Sequence, residues 1–82
     1  MITFEPFWKT LKKKEISQYS LIKNYGVSTG TLDAIRKNKS ITLITLNDLC
    51  NILQCQPSEI IQFEPDEICI RDNKIVYIKE KK

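Results

Sequence analysis

Histidine is absent from this 82-residue chain, and with it the side chain that most often serves as a general base or metal ligand near neutral pH. Glycine occurs only twice, too rarely for a glycine-rich loop that cradles phosphate. No nucleophile stands beside a plausible base. Together these absences argue against an enzyme, and no cofactor is expected. Cysteine is limited to Cys50, Cys55 and Cys69, at spacings that do not make a zinc site, so no metal is expected either. The three read as small buried hydrophobes. An odd number of thiols and the lack of a signal peptide point to a reducing, cytoplasmic setting. No apolar run reaches the roughly 20 residues of a membrane-spanning helix, so a membrane partner is not expected.

What is present fits an ordinary globular chain, with 41% hydrophobic and 28% charged residues. A domain of this size buries only about 60% of the surface that its unfolded chain exposes, and oligomerisation is one remedy for the marginal stability that results. The formal net charge of +3 is unevenly spread. Residues 1–40 hold eight Lys or Arg against three Asp or Glu, a net +5, whereas residues 41–82 hold five against seven, a net −2. The basic half suggests an anionic partner.

That half contains the stretch around which the chain is organised, ISQYSLIKNYGVSTGTLDAIRKNK from Ile16 to Lys39. Ser17 can cap a first short helix while Ile16 before it packs on Leu21. Ser28 can cap a second in the same way, with Val27 packing on Leu32. Gly26 lies between them, where a chain leaving a helix adopts positive φ. In the second helix Leu32 and Ile35 form the buried pair, and the opposite side carries Gly30, Asp33, Ala34 and Lys37. A helix with a small, polar outward face can approach another surface closely, and its first-turn amides favour phosphate oxygens.

Ser17-Gln18, Leu21, Gly26-Val27-Ser28, Leu32 and Ile35 resemble the helix-turn-helix of the lambda-repressor-like (Cro/CI-type) DNA-binding family, over roughly residues 6–62. The resemblance implies a mainly α, compact five-helix domain that binds double-stranded DNA. In it Gln18 braces the DNA backbone, the helix from Thr29 to Lys37 enters the major groove, and Ser28, Thr29, Gly30, Thr31, Asp33, Ala34, Lys37 and Lys39 form the DNA-binding set. The chain departs from the family pattern at three places. Ile22 stands where a small residue is usual and would splay the helices slightly. Asp33 brings an acid to the phosphates unless it pairs with Arg36 or Lys37 or accepts from a cytosine amino group. Asn38 replaces a glycine C-cap, a mild change because asparagine tolerates the left-handed conformation.

Elsewhere, Ile2-Thr3-Phe4 alternates as a short strand would, and Pro6 suits the first turn of a helix running to about Lys14. Phe7, Trp8 and Leu11 share its core side, and Lys12-Lys13-Lys14 place positive charge at its end. Leu46, Leu49, Cys50 and Leu53 recur at helical spacing with Thr42 or Thr45 as cap, and Pro57 is expected to open a fifth helix through Ile60 and Ile61. After Glu64-Pro65-Asp66, the β-branched segment Ile68 to Ile78 reads as a hairpin around Asp72-Asn73. The expected division is a DNA-binding domain at 1–64 and a hairpin extension at 65–82, which either makes a homodimer through residues 68–78 or covers the core, with Ile2 to Phe4 as a possible third strand. If Arg71 faces Lys74, both hairpin faces are apolar, which favours the homodimer.

The expected function is a sequence-specific DNA-binding regulator of transcription, with repressor and activator both open. The alternative is a protein-interaction module that binds another regulator through the hairpin or the small helix face without reading DNA.

Overall fold

The computed structural model describes residues 1–78, and its elements follow the order β1 (Ile2–Thr3), α1 (Glu5–Lys14), α2 (Gln18–Tyr25), α3 (Thr29–Arg36), α4 (Leu43–Leu53), β2 (Gln62–Phe63), β3 (Ile68–Arg71) and β4 (Lys74–Tyr77). Local chemistry sets most of the helix boundaries. The hydroxyls of Ser17, Ser28 and Thr42 accept from the amides of Ser20, Thr31 and Thr45 at 3.0, 3.0 and 3.1 Å, so each helix from α2 to α4 starts on a side-chain cap. At the other ends Gly26 takes φ 73° after α2, while Glu15 and Gln54 adopt left-handed φ of 56° and 52° after α1 and α4. Asn38 takes φ 53° just past α3, and its Oδ1 accepts from the Phe4 amide at 3.1 Å. The replacement for the glycine cap thus also ties the end of α3 to the N-terminal segment.

The helices close over one core of Phe4, Phe7, Leu11, Leu21, Val27, Leu32, Ile35, Leu46, Leu49, Leu53 and Ile60. Both stapled starts contribute to it, since Leu21 and Leu32 are fully buried and Val27 nearly so, with Ile16 packed at the margin. Trp8 is half-buried and meets Phe7 edge-on, with ring centroids 5.0 Å apart and planes at 75°. The larger Ile22 does not wedge the helices apart from within the core, because it keeps 37% of its surface exposed. Cys50 and Cys55 are half-buried against the core rather than buried in it, and Cys69 lies on the hairpin; all three are free thiols. Burial and the adjacent Cys50 raise the Cys55 thiol above its ordinary pKa.

The expected fifth helix is replaced by a single 3₁₀ turn over Pro57–Glu59, so the fold has four α-helices among the described residues. The Glu59 carbonyl, which a continuing helix would offer to the amide four residues on, instead accepts from the buried Thr10 hydroxyl at 2.6 Å. Ile60 then enters the core, and Gln62 and Phe63 leave to pair antiparallel with Thr3 and Ile2. The N-terminal strand therefore does not join the hairpin, and β3–β4 forms a separate two-stranded sheet. No hairpin side chain belongs to the buried core, so the hairpin does not cover it, and the molecule extends 48 × 22 × 21 Å. Within the hairpin the expected register holds, with Arg71 opposite Lys74 and the turn residues Asp72 and Asn73 at φ 49° and 60°, as a two-residue type I′ turn requires.

Candidate nucleic-acid interface

α3 owes its exposed face to the two residues it buries. Leu32 and Ile35 are anchored in the core at zero exposure, and at about 100° per residue this turns Gly30, Asp33 and Lys37 to solvent. Thr29 is exposed at the start, and Lys39 is exposed just beyond the end. Thr31 and Ala34 are half-buried at the edges of that face. The helix ends at Arg36, with Lys37 as its C-cap at φ −94°, one residue earlier than the sequence suggests.

The first turn is held from within. The Ser28 hydroxyl receives the Thr31 amide and lies 2.8 Å from the Thr31 hydroxyl, so Ser28 and Thr31 act together as a cap. The amides of Thr29 and Gly30 precede any i−4 carbonyl of the helix and point outward from its N-terminus, a geometry that suits an anionic oxygen. A Cβ added at Gly30 would meet only the Ser28 hydroxyl, at 3.9 Å, so folding does not require glycine there.

The last turn is organised by Arg36, a residue that sequence reasoning used only as a possible partner of Asp33. Its guanidinium donates through Nε and Nη2 to Gln18 Oε1, at 3.2 and 2.9 Å, which fastens the start of α2 to the end of α3. Asp33 lies between two cations, 3.1 Å from Lys37 Nζ and 3.7 Å from Arg36 Nη1. Because all three side chains are about half exposed, these pairs are weak in water, but they keep the carboxylate from standing alone on a basic face. The structure thus joins Gln18, Asp33 and Lys37 into one polar cluster with Arg36 at its centre. The link from Gln18 to Arg36 spans 18 positions, and only the turn between the helices could have suggested it. On α2 the Lys23 ammonium lies over the Tyr19 ring, 5.5 Å from its centroid.

This capped helix, glycine turn and second capped helix have recognised relatives. The Cro/C1-type HTH DNA-binding domain family profile matches residues 7–66. The chain belongs to the Cro/C1-type helix-turn-helix family. A similar curated protein, the uncharacterized HTH-type transcriptional regulator YozG of Bacillus subtilis (strain 168), is 34% identical over 59 residues, which cover 70% of each chain. Among solved structures, the transcriptional regulator VanUg in its crystal form II is similar at a TM-score of 0.71 and 28% identity, over 79% of this chain and 87% of that one. The Cro/C1-type match runs from within α1 through α4 and β2, leaving out β1, and stops before the hairpin. No helix among the described residues is long and apolar enough to cross a membrane.

Proposed function

We propose that this Cro/C1-type protein is a sequence-specific regulator of transcription that lays α3 in the major groove of duplex DNA. The observation that carries this reading is the division of α3: one side is locked in the core by Leu32 and Ile35, while the other presents Thr29, Gly30, Asp33 and Lys37 without a bulky side chain. The major groove admits a helix of that kind. In this reading the Thr29 and Gly30 amides and Lys39 meet phosphates, Thr29, Asp33 and Lys37 lie near base edges, and the Ser28–Thr31 cap and Ala34 line the approach. Gln18 acts through Arg36, holding it at the rim of the same face.

The hairpin completes the proposal as the contact between two copies. Ile68, Ile70, Ile75 and Tyr77 on one of its faces are 44 to 64% exposed, and Val76 and Ile78 on the other are 37 and 62% exposed. A second copy is the partner that a two-fold regulator needs, because a homodimer presents two recognition helices to half-sites about 34 Å apart.

Selection of bound sequences from random duplexes tests the DNA reading. The expected outcome is a recurrent motif, and Asp33→Ala should tighten nonspecific binding while blurring that motif, because it removes repulsion from phosphates along with a possible cytosine acceptor. The second reading, a protein-interaction module, is favoured by the exposed hairpin and by the few large side chains on α3. Recovery of no duplex from the selection would decide for it.

A further inference from the structure

The hairpin has an open edge. Cys69 faces Val76, Arg71 faces Lys74, and the Ile78 amide donates to the Glu67 carbonyl at 2.9 Å, which extends the β3 ladder back by one residue. In an antiparallel pair, residues that exchange hydrogen bonds alternate with residues whose main-chain groups point away. Because Glu67 bonds inward to β4, so do Cys69 and Arg71, while Ile68 and Ile70 direct their N–H and C=O outward. No backbone hydrogen bond among the described residues takes up those outward groups.

This edge is complementary to itself. The segment reads Glu67-Ile68-Cys69-Ile70-Arg71, and a second copy running antiparallel about Cys69 sets Glu67 against Arg71, Ile68 against Ile70, and Cys69 against its own counterpart. Opposite charges meet twice and aliphatic side chains meet twice, each a favourable cross-strand pair. The hydrogen-bonding parity agrees as well, since Ile68 and Ile70, which carry the free groups, become the hydrogen-bonded pairs. The β4 edge lacks this property, because Lys74 is the sole charge between Lys74 and Ile78 and has no opposite charge to meet.

We propose that β3 pairs antiparallel with β3 of a second copy about a two-fold axis at Cys69, fusing two hairpins into one four-stranded sheet. This inference rests on the homodimer of the proposed function and specifies its edge and register. In the joined sheet Ile68, Ile70, Ile75 and Tyr77 of both copies share one face, where each gains apolar neighbours, and the Glu67–Arg71 pairs lie on the other. Arg71 already stands opposite Lys74, a like-charge pair that weakens a lone hairpin. The incoming Glu67 offsets that repulsion.

The test compares the full chain with Glu67→Arg, Arg71→Glu and the doubly reversed variant by sedimentation equilibrium. Each single reversal is expected to weaken the dimer about tenfold, because two cross-strand pairs change from attraction to repulsion, and the double reversal is expected to restore it to within about threefold. In parallel, the unsubstituted protein is treated with diamide, which takes up the two thiol hydrogens as it is reduced to its hydrazine. A Cys69–Cys69 disulfide between chains is expected by peptide mapping, because opposed residues of a non-hydrogen-bonded pair lie about 4.5 Å apart at Cα, within disulfide range. A dimer unaffected by the reversals and lacking that crosslink would overturn this register and leave the homodimer standing. A chain that stays monomeric at high micromolar concentration would remove both. The crosslink reads the register without any substitution, so a variant that fails to fold cannot obscure the result.

Discussion

The chain's two glycines meet different demands. Gly26 sits at φ 73° with nothing within 4 Å of an added Cβ, so a side chain there has space but not a comfortable backbone. Gly26→Val is expected to destabilise the fold by roughly 1–3 kcal/mol through backbone strain, and thermal melts should show the loss whether or not DNA is present. A variant that melts like the parent would mean that the turn does not depend on positive φ. Gly30 has helical backbone, and an added Cβ there makes only an ordinary contact with the Ser28 hydroxyl. Alanine there should stabilise the helix by about 0.5–1 kcal/mol. If glycine serves close approach to DNA instead, Gly30→Ala raises the melting temperature and lowers duplex affinity. Affinity that is unchanged, measured by fluorescence anisotropy on a selected duplex, would contradict contact at Gly30.

At the scale of elements, the helices were legible because their instructions are local. Ser17, Ser28 and Thr42 each sit immediately before the helix they cap, and Gly26 marks the turn by its own backbone preference. The hairpin register was legible for the same reason, since Asp72 and Asn73 form a turn that fixes Arg71 opposite Lys74. Features set by distant partners were not legible. Pro57 opens a turn, but Thr10, 49 positions away, diverts the Glu59 carbonyl, and β1 then captures Gln62 and Phe63. The Gln18–Arg36 clamp was hidden likewise, because no periodicity connects residues on two different helices. A chain ending after Asp66 keeps the β1–β2 pairing and the ion pair between the Met1 ammonium and Asp66 at 2.6 Å. It also keeps every core residue. Its helical circular dichroism and unfolding midpoint are therefore expected to match those of the full chain measured as a monomer. A truncated chain that unfolds would show that the hairpin supports the helical body after all.

Across the whole molecule, charge and apolar surface are segregated. The half containing α1 to α3 carries the positive excess, with Lys12, Lys13 and Lys14 exposed at the end of α1 and Arg36, Lys37 and Lys39 around the end of α3. The exposed hairpin extends from the helical body along a molecule 48 Å long. A basic helical face and an exposed apolar hairpin at separate sites suit the two-fold DNA-binding assembly proposed above. The most direct test of DNA binding through α3 is duplex affinity as a function of salt, for the protein and for Lys37→Ala. Log affinity is expected to fall linearly with log salt, with a slope of about −0.9 per phosphate contacted, and Lys37→Ala is expected to weaken binding and make the slope shallower by about 1. An absence of duplex binding at low salt across random sequences, or affinity indifferent to both salt and Lys37, would contradict DNA binding through α3.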